Sequence, residues 1–421
     1  MKIKVITAGS RGDIQPYVAL GLGLQMAGHD VCIVTHKSFT QFIKSYGLDM
    51  YPIEVDPEEL VNSEKGKKML ENGSNPFISI KCFLELYKEA LGEFLDSLLP
   101  ACEGADALIF SMTAFACYFV AEKLKIPAVA TYLFPFNRTK AFPSVFLPPD
   151  IKLGGSFNFF SHALSEQIFW QPVRPVINKW LKKTLKMDPI PFISGFSRLN
   201  KLKFPIIYGY SSLVIPKPKE WGDWIKVTGY WYLDQPLEWQ PPNDLLEFLD
   251  SGSPPVYIGF GSMVNRNPEE SAEIVLRALE KSKSRGILLS GWGGLQKSDL
   301  PNNVFLTNSV PHDWLFPQMS AVVHHGGAGT TSAGLRAGIP SVIIPFFADQ
   351  PFWADRVHML GVGPKPIPRK KVTPENLAEA IKIATSDVKI QKKAARVGQA
   401  IRQENGIENA VNQINKIIKY K

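Results

Sequence analysis

The sequence contains little cysteine and lacks the patterns of secreted and membrane-spanning proteins. Only 4 of its 421 residues are cysteines, and none of them forms a CxxC pair. This low count excludes a disulfide framework, so we expect a reduced, cytoplasmic setting. No apolar run reaches the roughly 18 residues that a membrane-spanning helix requires. The N-terminus has no signal-peptide pattern either.

The motifs of several enzyme classes are also missing. There is no GxxxxGK[ST] loop, which excludes a P-loop, and the first strand is followed by Gly9-x-x-Gly12, which disfavours a dinucleotide dehydrogenase. No GxSxG motif occurs. DxD is absent, and apart from the adjacent pair His324-His325 the histidines lack metal-ligand spacing. We therefore expect no bound metal.

The composition is that of a globular protein whose charges are unevenly distributed. Hydrophobic residues make up 45% and charged residues 20% of the chain, enough apolar material for two or three domains. The net charge of +8 divides into +9 over residues 137–226, +8 over residues 365–421 and −9 over the remainder. Each basic block is either a solvated face or a site for an anionic membrane surface or a phosphate-bearing ligand. No nucleic-acid-binding motif accompanies the charge, so we expect no nucleic-acid partner.

Strands and helices alternate along the chain. Residues 2–7 predict a strand, residues 8–13 a loop and residues 16–27 a helix, and a second series begins at residues 255–260. This alternation indicates parallel sheets covered on both faces. We therefore predict an α/β protein of two doubly wound, Rossmann-like domains that face each other across a cleft. The predicted segments are a first domain (1–235), a linker (236–243), a second domain (244–395) and a C-terminal helix that packs back on the first domain (396–421).

Four polar or glycine-rich loops follow predicted strands, where doubly wound sheets bind ligands. The most specific is residues 324–331, His-His-Gly-Gly-Ala-Gly-Thr-Thr, which ends a strand and opens a helix. Its glycines allow close approach of the backbone, and the helix N-terminus directs N–H groups and a positive dipole at one point. This pattern predicts a site for phosphate oxygens. The other three loops are residues 9–13, 259–262 and 290–294.

These loops resemble a known family. Residues 325–331, followed by Asp349-Gln350, resemble the donor signature of inverting UDP-dependent glycosyltransferases of the GT-B fold. Four further segments resemble the sterol 3-beta-glucosyltransferase branch: residues 9–16, 138–143, 227–231 and 310–314. The resemblance implies transfer of glucose from UDP-glucose to the hydroxyl of a lipophilic, sterol-like acceptor, with inversion and without a metal or other cofactor. It also implies that the first domain binds the acceptor and the second the nucleotide sugar. The membrane-targeting domains of the eukaryotic members are expected to be absent, because the catalytic strand begins at Lys2.

Asp13 is the candidate general base. It follows the first predicted strand, and an inverting transfer needs one group that takes the proton of the attacking hydroxyl. Desolvation by an apolar acceptor would raise its pKa towards the working pH. From the residues alone, an equally good interpretation is that Asp13 caps the following helix. Many relatives have a histidine here, paired with an aspartate, whereas this sequence has Asp13 and Ser111. We therefore expect a lone carboxylate and no relay.

The resemblance assigns the donor contacts to both domains. His325 would bind the diphosphate with the amide of Ala328, with Gly329 and with Thr330, so that electrostatic stabilisation replaces a metal. The other implied contacts are Ser262 with the phosphates, Asp349 and Gln350 with the sugar hydroxyls, Val310 and His312 with the uracil base, Trp292 at its border, and Ser10 and Arg11 from the first domain. The residues alone also explain Ser262, Asp349 and Gln350 as ordinary loop residues, and His325 as a buried histidine bonded to backbone. The ribose-binding glutamate of many plant relatives corresponds to Ala333, which leaves the choice between UDP and TDP open.

The basic block at residues 137–226 lies on the implied acceptor side. Between Val173 and Leu185, apolar residues recur at helical spacing, and lysines and an arginine occupy most other positions. A core-facing amphipathic helix is the default interpretation. Basic residues beside aromatic ones also suit an interfacial helix on anionic lipid. Peripheral membrane contact through residues 157–187 is therefore a competing hypothesis.

Two other functions remain open. The same fold could act on a flavonoid, polyketide or glycolipid acceptor, because apolar pockets are chemically degenerate. A nucleotide-sugar or lipid-binding protein without turnover is the other alternative. The combination of Asp13 and His325 argues against it, because binding alone requires no base.

Overall fold

The computed structural model describes residues 1–55, 90–148, 151, 153–193, 195–234, 239–260, 268–289, 300–308 and 310–419. The chain divides into two compact units, Met1–Leu233 with Asn405–Lys421, and Asp234–Glu404. Each unit contains one parallel sheet, so the predicted α/β class with two doubly wound domains is confirmed. Residue 396, where we predicted the final segment to begin, lies inside a helix of the second unit.

The first unit is built on a seven-stranded parallel sheet in the order β3-β2-β1-β4-β5-β6-β7. Its strands are β1 (Lys2–Ile6), β2 (Asp30–His36), β3 (Asp49–Ile53), β4 (Ala107–Ser111), β5 (Ala128–Tyr132), β6 (Ile206–Tyr208) and β7 (Ile225–Val227). Strands β4 and β5 are buried along their whole length, as expected for parallel strands covered on both faces. The strand order reverses between β1 and β4. Their carboxyl ends therefore border the crevice in which sheets of this kind bind ligands.

Helices connect these strands. They are α1 (Arg11–Met26), α2 (Thr40–Lys44), α3 (Cys117–Leu124), α4 (Gly155–Trp180) and α5 (Ser197–Lys201), and residues 90–102 are also helical. Helix α1 begins at Arg11, five residues earlier than the start at Pro16 that the sequence analysis predicted. The reason is a capping box formed by Ser10 and Asp13, which stabilises a helix start ahead of the proline.

The second unit has a five-stranded parallel sheet in the order β10-β9-β8-β11-β12. Its strands are β8 (Val256–Gly259), β9 (Gly286–Leu289), β10 (Val304–Thr307), β11 (Ala321–His324) and β12 (Ser341–Ile343). Its helices are α6 (Asn243–Asp250), α7 (Pro268–Ser282), α8 (His312–Leu315), α9 (Ala328–Ala337), α10 (Gln350–Met359), α11 (Pro374–Ser386) and α12 (Val388–Arg402). Here the order reverses between β8 and β11, so the loops that follow these two strands border the second crevice.

The last helix, α13 (Gly406–Lys419), belongs to the first unit. Its buried residues Ala410, Ile414 and Ile418 join the core that also contains Leu20 and Leu24 of α1. The last helix therefore packs against α1, the helix that carries Asp13.

Helix α4 continues as a π-helical stretch, Leu181–Leu185. Val173, Ile177, Trp180, Leu181 and Leu185 are all buried, so this half of the helix presents its apolar face to the core. The core-facing amphipathic helix that the sequence pattern predicts as its default interpretation is therefore confirmed for this half. Within the described part of the chain, no helix is both long and apolar enough to span a bilayer.

Candidate functional site

Asp13 lies in the first turn of α1 and is held by Ser10. The backbone N–H and the hydroxyl of Ser10 both donate to Asp13 Oδ2, each at 2.9 Å. Asp13 Oδ1 accepts no hydrogen bond from the residues that the structure describes. The carboxylate therefore caps the helix with one oxygen and keeps the other for a ligand.

The surroundings of Asp13 raise its pKa. Burial of the carboxyl group is the main cause, and the two hydrogen bonds from Ser10 oppose it in part. A carboxylate whose pKa is raised towards neutrality is a better proton acceptor in general base catalysis.

The loop before Asp13 is fixed by side chains from both neighbouring strands. Thr113 Oγ1 accepts from Ala8 N at 3.3 Å and lies 2.7 Å from Ala8 O, to which it donates. Gly9 N donates to His36 Nε2 at 2.9 Å, so the ring proton of His36 is on Nδ1, which donates to Val55 O at 2.5 Å. The sequence analysis missed Thr113 and His36. Their positions at the ends of the strands beside β1 were the signal that could have identified them.

Gly9 is required by its conformation and by its closeness to the carboxylate. Its φ is +135°, and a Cβ at this position would lie 2.5 Å from Asp13 Oδ2. Ser111 Oγ lies 2.7 Å from Thr113 Oγ1, so this serine supports the same loop. Arg11 stacks over the ring of Phe42 at 4.7 Å. Its predicted contact with the donor stays a prediction.

In the second unit, the predicted phosphate loop connects β11 to α9. Gly327 is the N-cap of α9, and Gly326 has a φ of +89°. The amides of Ala328, Gly329 and Thr330 lie in the first turn, where helix geometry provides no intrahelical acceptor. A Cβ at Gly329 would meet no atom within 4 Å, so this end of the helix is open. The arrangement suits a phosphate group.

The two adjacent histidines have different environments. Burial lowers the pKa of His325 to about 4, so its ring is neutral at physiological pH. His325 Nδ1 is buried and has no hydrogen-bond partner among the described residues. His324 is fully buried, and its Nδ1 accepts from Gly326 N at 3.0 Å. His324 thus supports the loop, whereas His325 offers a neutral hydrogen-bonding group beside it.

Asp349 and Gln350 lie at the start of α10. Asp349 Oδ2 accepts from Trp353 Nε1 at 2.8 Å. The side chain of Gln350 is buried, and its Oε1 accepts from the N–H groups of Phe346–Phe347 at 2.8 and 3.2 Å. The main-chain carbonyl of Gln350 lies 3.1 Å from where a Cβ of Gly326 would be. The structure therefore brings Gln350, one of the predicted sugar-binding pair, against the phosphate loop.

Val310 and His312 lie before and at the start of α8. The Val310 side chain is buried in the cluster that also contains Tyr257 and Phe316. The His312 ring stacks on Phe316 with ring centroids 4.2 Å apart, and its Nε2 is 3.4 Å from the Tyr257 hydroxyl. Ala333 of α9 packs against the same cluster. The Val310 side chain therefore faces the core and is not available to a ligand.

Two of the predicted donor contacts, Ser262 and Trp292, lie outside the described residues. Across the described ranges, no group of three His, Cys, Asp or Glu side chains is arranged to hold a metal ion.

The segment at residues 138–143 forms a buried ion pair on the first unit. Arg138 Nε donates to Glu166 Oε1 at 3.0 Å, and its Nη2 donates to Oε2 at 2.6 Å. Burial raises the pKa of Glu166, and Arg138 opposes the shift. Thr139 Oγ1 and Lys140 N both donate to Glu220 Oε1 at 2.6 Å. This segment is thus attached to α4 on one side and to residue 220 on the other.

Two family models match the chain. The glycosyltransferase family 28 N-terminal domain matches residues 3–143, and the erythromycin biosynthesis protein CIII-like C-terminal domain matches residues 291–415. Among curated relatives, sterol 3-beta-glucosyltransferase UGT80A2 of Arabidopsis thaliana is 39% identical over 99% of this chain and 65% of its own length. Sterol 3-beta-glucosyltransferase of Cryptococcus neoformans is 38% identical over 100% of this chain and 27% of its own length. The chain thus spans about a quarter to two thirds of these relatives.

Solved glycosyltransferases share the fold. The kitacinnamycin glycotransferase has a TM-score of 0.72 at 20% identity, covering 99% of this chain and 98% of its own. VinC, solved in complex with DTDP, has a TM-score of 0.69 at 15% identity, covering 100% of both chains. The two family models, the relatives and the shared fold agree with the predicted resemblance: the chain belongs to the glycosyltransferases of the GT-B fold, with a family 28 N-terminal domain and an erythromycin CIII-like C-terminal domain.

Proposed function

We propose that the protein transfers glucose from UDP-glucose to the hydroxyl of a sterol or sterol-like alcohol, with inversion at the anomeric carbon. The observation that carries this proposal is the 38–39% identity to sterol 3-beta-glucosyltransferases along the whole of this chain. The half-free carboxylate of Asp13 in the first unit favours catalysis over binding alone, because binding requires no base.

The reaction is a single displacement. The acceptor oxygen forms a bond to the anomeric carbon while the bond from that carbon to the diphosphate oxygen breaks. Asp13 Oδ1 takes the proton of the acceptor hydroxyl, because Oδ2 is already engaged by Ser10. UDP leaves with the bonding electrons, so negative charge grows on its terminal phosphate.

The second unit offers uncharged groups for that leaving phosphate. His325 is neutral and can donate one hydrogen bond, and the first-turn amides of Ala328, Gly329 and Thr330 add the positive end of a helix dipole. We propose that these groups stabilise the departing diphosphate without a metal. Ser262 would contribute a further hydrogen bond to the same phosphates.

The remaining proposed donor contacts are made by residues outside the phosphate loop. Asp349 and Gln350 would bind the glucose hydroxyls, and the uracil would meet His312, the main chain of Val310 and Trp292. Ser10 and Arg11 would contact the donor from the first unit. SsfS6, a solved structural neighbour, is complexed with thymidine diphosphate. A TDP-sugar is therefore the donor to compare directly with UDP-glucose.

The test of the reaction is a mass-spectrometric screen of UDP- and TDP-sugars against sterols, triterpenoids, flavonoids and polyketides. We expect a glucoside of a sterol with UDP-glucose. A product only with a phenolic or polyketide acceptor would replace the sterol proposal with the second acceptor class. The absence of any product, together with tight UDP binding, would favour a binding protein.

The test of the base is Asp13→Asn. A general base contributes about 10²–10⁴-fold to the rate, so we expect a loss of kcat in that range with UDP affinity unchanged. Turnover equal to that of the unaltered protein would contradict the assignment.

We also propose a cytoplasmic protein that lies at the membrane periphery. The three described cysteines, Cys32, Cys102 and Cys117, are free thiols, which suits a reducing compartment. Cell fractionation at low and high salt tests this location, since a peripheral protein is released from membranes by salt.

A further inference from the structure

The first half of α4 has its polarity reversed. Phe160, Leu164 and Ile168, one turn apart, are 62%, 44% and 37% exposed. The residues that this half of the helix buries include Ser161, His162, Ser165 and Glu166. A helix that meets water normally exposes its polar face and buries its apolar one. This half therefore presents its apolar side to the outside of the first unit.

The buried polar groups are all satisfied, so the reversal is a stable arrangement of this fold. Ser161 Oγ accepts from Ser144 N at 2.9 Å, and Ser165 Oγ donates to Ser144 Oγ at 2.7 Å. His162 Nε2 lies 3.1 Å from Phe142 O, and Glu166 is paired with Arg138. Turning the helix over would bury Phe160 but would leave these polar groups without partners.

The exposed apolar surface extends beyond α4 at both ends. Leu153 precedes the helix and is exposed. Beyond Ile168, Gln171 Nε2 donates to Phe192 O at 2.7 Å, and Arg174 stacks over the Phe192 ring at 5.0 Å. We call the surface formed by Leu153, Phe160, Leu164, Ile168, Phe192 and Ile193 the apolar ridge. With Phe159, it holds 7 of the 15 large hydrophobic side chains that are exposed among the described residues.

Exposed basic residues follow the apolar ridge towards the C-terminal end of α4. After Ile168, the three- and four-residue spacing of the outward face passes through Gln171 and Pro175 to the exposed Lys179. The exposed Lys182 and Lys186 follow in the π-helical stretch and at its end. Across the described residues 153–187, Glu166 is the only acidic residue, and it is buried. The outward face is therefore apolar at one end and mainly positively charged at the other, where the exposed Asp188 follows the lysines.

We propose that the apolar ridge and the lysines at 179, 182 and 186 dock the protein onto a bilayer that carries anionic headgroups. Apolar side chains would enter the boundary between headgroups and acyl chains, and the lysines would contact the headgroups. A soluble protein partner would be expected to pair with a balance of both signs, whereas the charged end of this surface has four exposed lysines, at residues 179, 182, 183 and 186, and one exposed carboxylate, Asp188. The proposal places the protein where a lipid alcohol is found, and in that respect it rests on the proposed function.

Most of this surface lies within residues 157–187, the segment for which the sequence analysis proposed membrane contact, but not every apolar residue of that segment contributes to it. The apolar residues between Val173 and Leu185 face the core, so they are not available to a membrane. The apolar part of the proposed membrane contact is made by the first half of α4, and the second half and its end contribute only exposed lysines.

Vesicle sedimentation tests the proposal without turnover. The probes are vesicles of phosphatidylcholine, with and without phosphatidylserine. We expect binding to the anionic vesicles and a large loss of it in the variant Phe160→Ser, Leu164→Ser, Ile168→Ser. A matched control, Met26→Ser, Leu213→Ser, Met359→Ser, removes three exposed apolar side chains elsewhere and should bind like the unaltered protein.

A second variant tests the lysines. Replacing Lys179, Lys182 and Lys186 by Gln should lower the affinity for anionic vesicles roughly fivefold for each lysine, because a lysine near an anionic surface contributes about 1 kcal/mol to binding. The same change at Lys389, Lys392 and Lys393, which are also exposed but lie in the second unit, is the control. Thermal melts should be unchanged in all variants, because every replaced side chain is exposed.

Three results would overturn the proposal: no binding to either vesicle, equal binding by the ridge variant and its control, or a dimer in ultracentrifugation that the ridge variant abolishes while vesicle binding is absent. The last result would assign the ridge to a second copy of the chain. Failure of the proposed function is a separate outcome, since turnover with a detergent-dispersed sterol does not depend on docking.

Discussion

Replacing Gly9 with alanine adds only one methyl group but should strongly impair catalysis. An alanine Cβ at this position would lie 2.5 Å from Asp13 Oδ2, whereas Cβ atoms essentially never come within 3.0 Å of another heavy atom. The carboxylate or the loop must therefore move by at least the difference, 0.5 Å. The φ of +135° adds strain of about 1–3 kcal/mol for any residue with a side chain.

The displacement determines the size of the effect on the rate. A misplacement of about 1 Å in a catalytic group costs roughly 10²-fold, so a shift of half that size or more should lower kcat between about tenfold and 10²-fold. UDP affinity should fall much less than kcat, because most of the proposed UDP contacts belong to the second unit. Initial rates at saturating UDP-glucose, with calorimetric titration of UDP, measure the two quantities separately.

Gly12 provides a matched control one turn away. A Cβ at Gly12 would meet only Ser10 Oγ, at an ordinary distance of 3.7 Å, and the residue lies in α1. Gly12→Ala should therefore leave kcat unchanged and stabilise the helix by up to about 1 kcal/mol. If Gly9→Ala turns over as fast as Gly12→Ala, the placement of the Asp13 carboxylate under Gly9 has no catalytic consequence and the reasoning fails.

Three further predictions follow from the first unit. Burial lowers the pKa of His162 to about 4, below its unfolded value of 6.5, so the protein should keep its full free energy of unfolding above pH 6.5 and lose about 3 kcal/mol of it as the pH drops to 4. In a series of denaturation curves at different pH, His162→Gln should remove most of this dependence. Arg138→Met leaves the buried Glu166 unpaired and should cost about 3–5 kcal/mol in urea unfolding, whereas Arg138→Met with Glu166→Met should recover most of that loss. Thr113→Val removes both hydrogen bonds to Ala8, so it should lower kcat and speed amide exchange in the loop. Thr113→Ser keeps the hydroxyl and should retain the original kcat and exchange rate. Equal exchange in the two variants would show that the hydroxyl does not hold the loop.

The fold was predictable because parallel strands are buried on both faces. Runs such as residues 107–111 and 256–259 are almost wholly apolar, and each is followed by a loop and a helical pattern. The start of α1 was harder to place. Pro16 is a strong signal for a helix start, but the hydrogen bonds between Ser10 and Asp13 begin the helix at Arg11. A local capping interaction thus overrode the proline.

The first half of α4 could not be predicted from periodicity. Periodic patterns assign apolar residues to the inside, and the rule holds between Val173 and Leu185, which are buried. It fails at Phe160, because the inward positions are taken by polar residues whose partners are distant in sequence. Glu166 pairs with Arg138 over 28 positions, and Ser165 bonds to Ser144 over 21. Only the tertiary structure shows that these polar groups are satisfied inside, which forces the apolar side of the helix outwards.

Asp13 shows why two sequence interpretations need not exclude each other. A helix cap and a general base look like alternatives, because a side chain is usually assigned one role. A carboxylate has two oxygens, and here Oδ2 accepts both bonds from Ser10 while Oδ1 is left without a bond from the described residues. The cap fixes the rotation of the carboxylate, which determines where Oδ1 points. In the proposed reaction, the structural role of Asp13 is therefore the condition for its chemical role, so a substitution that breaks the cap should also impair proton transfer.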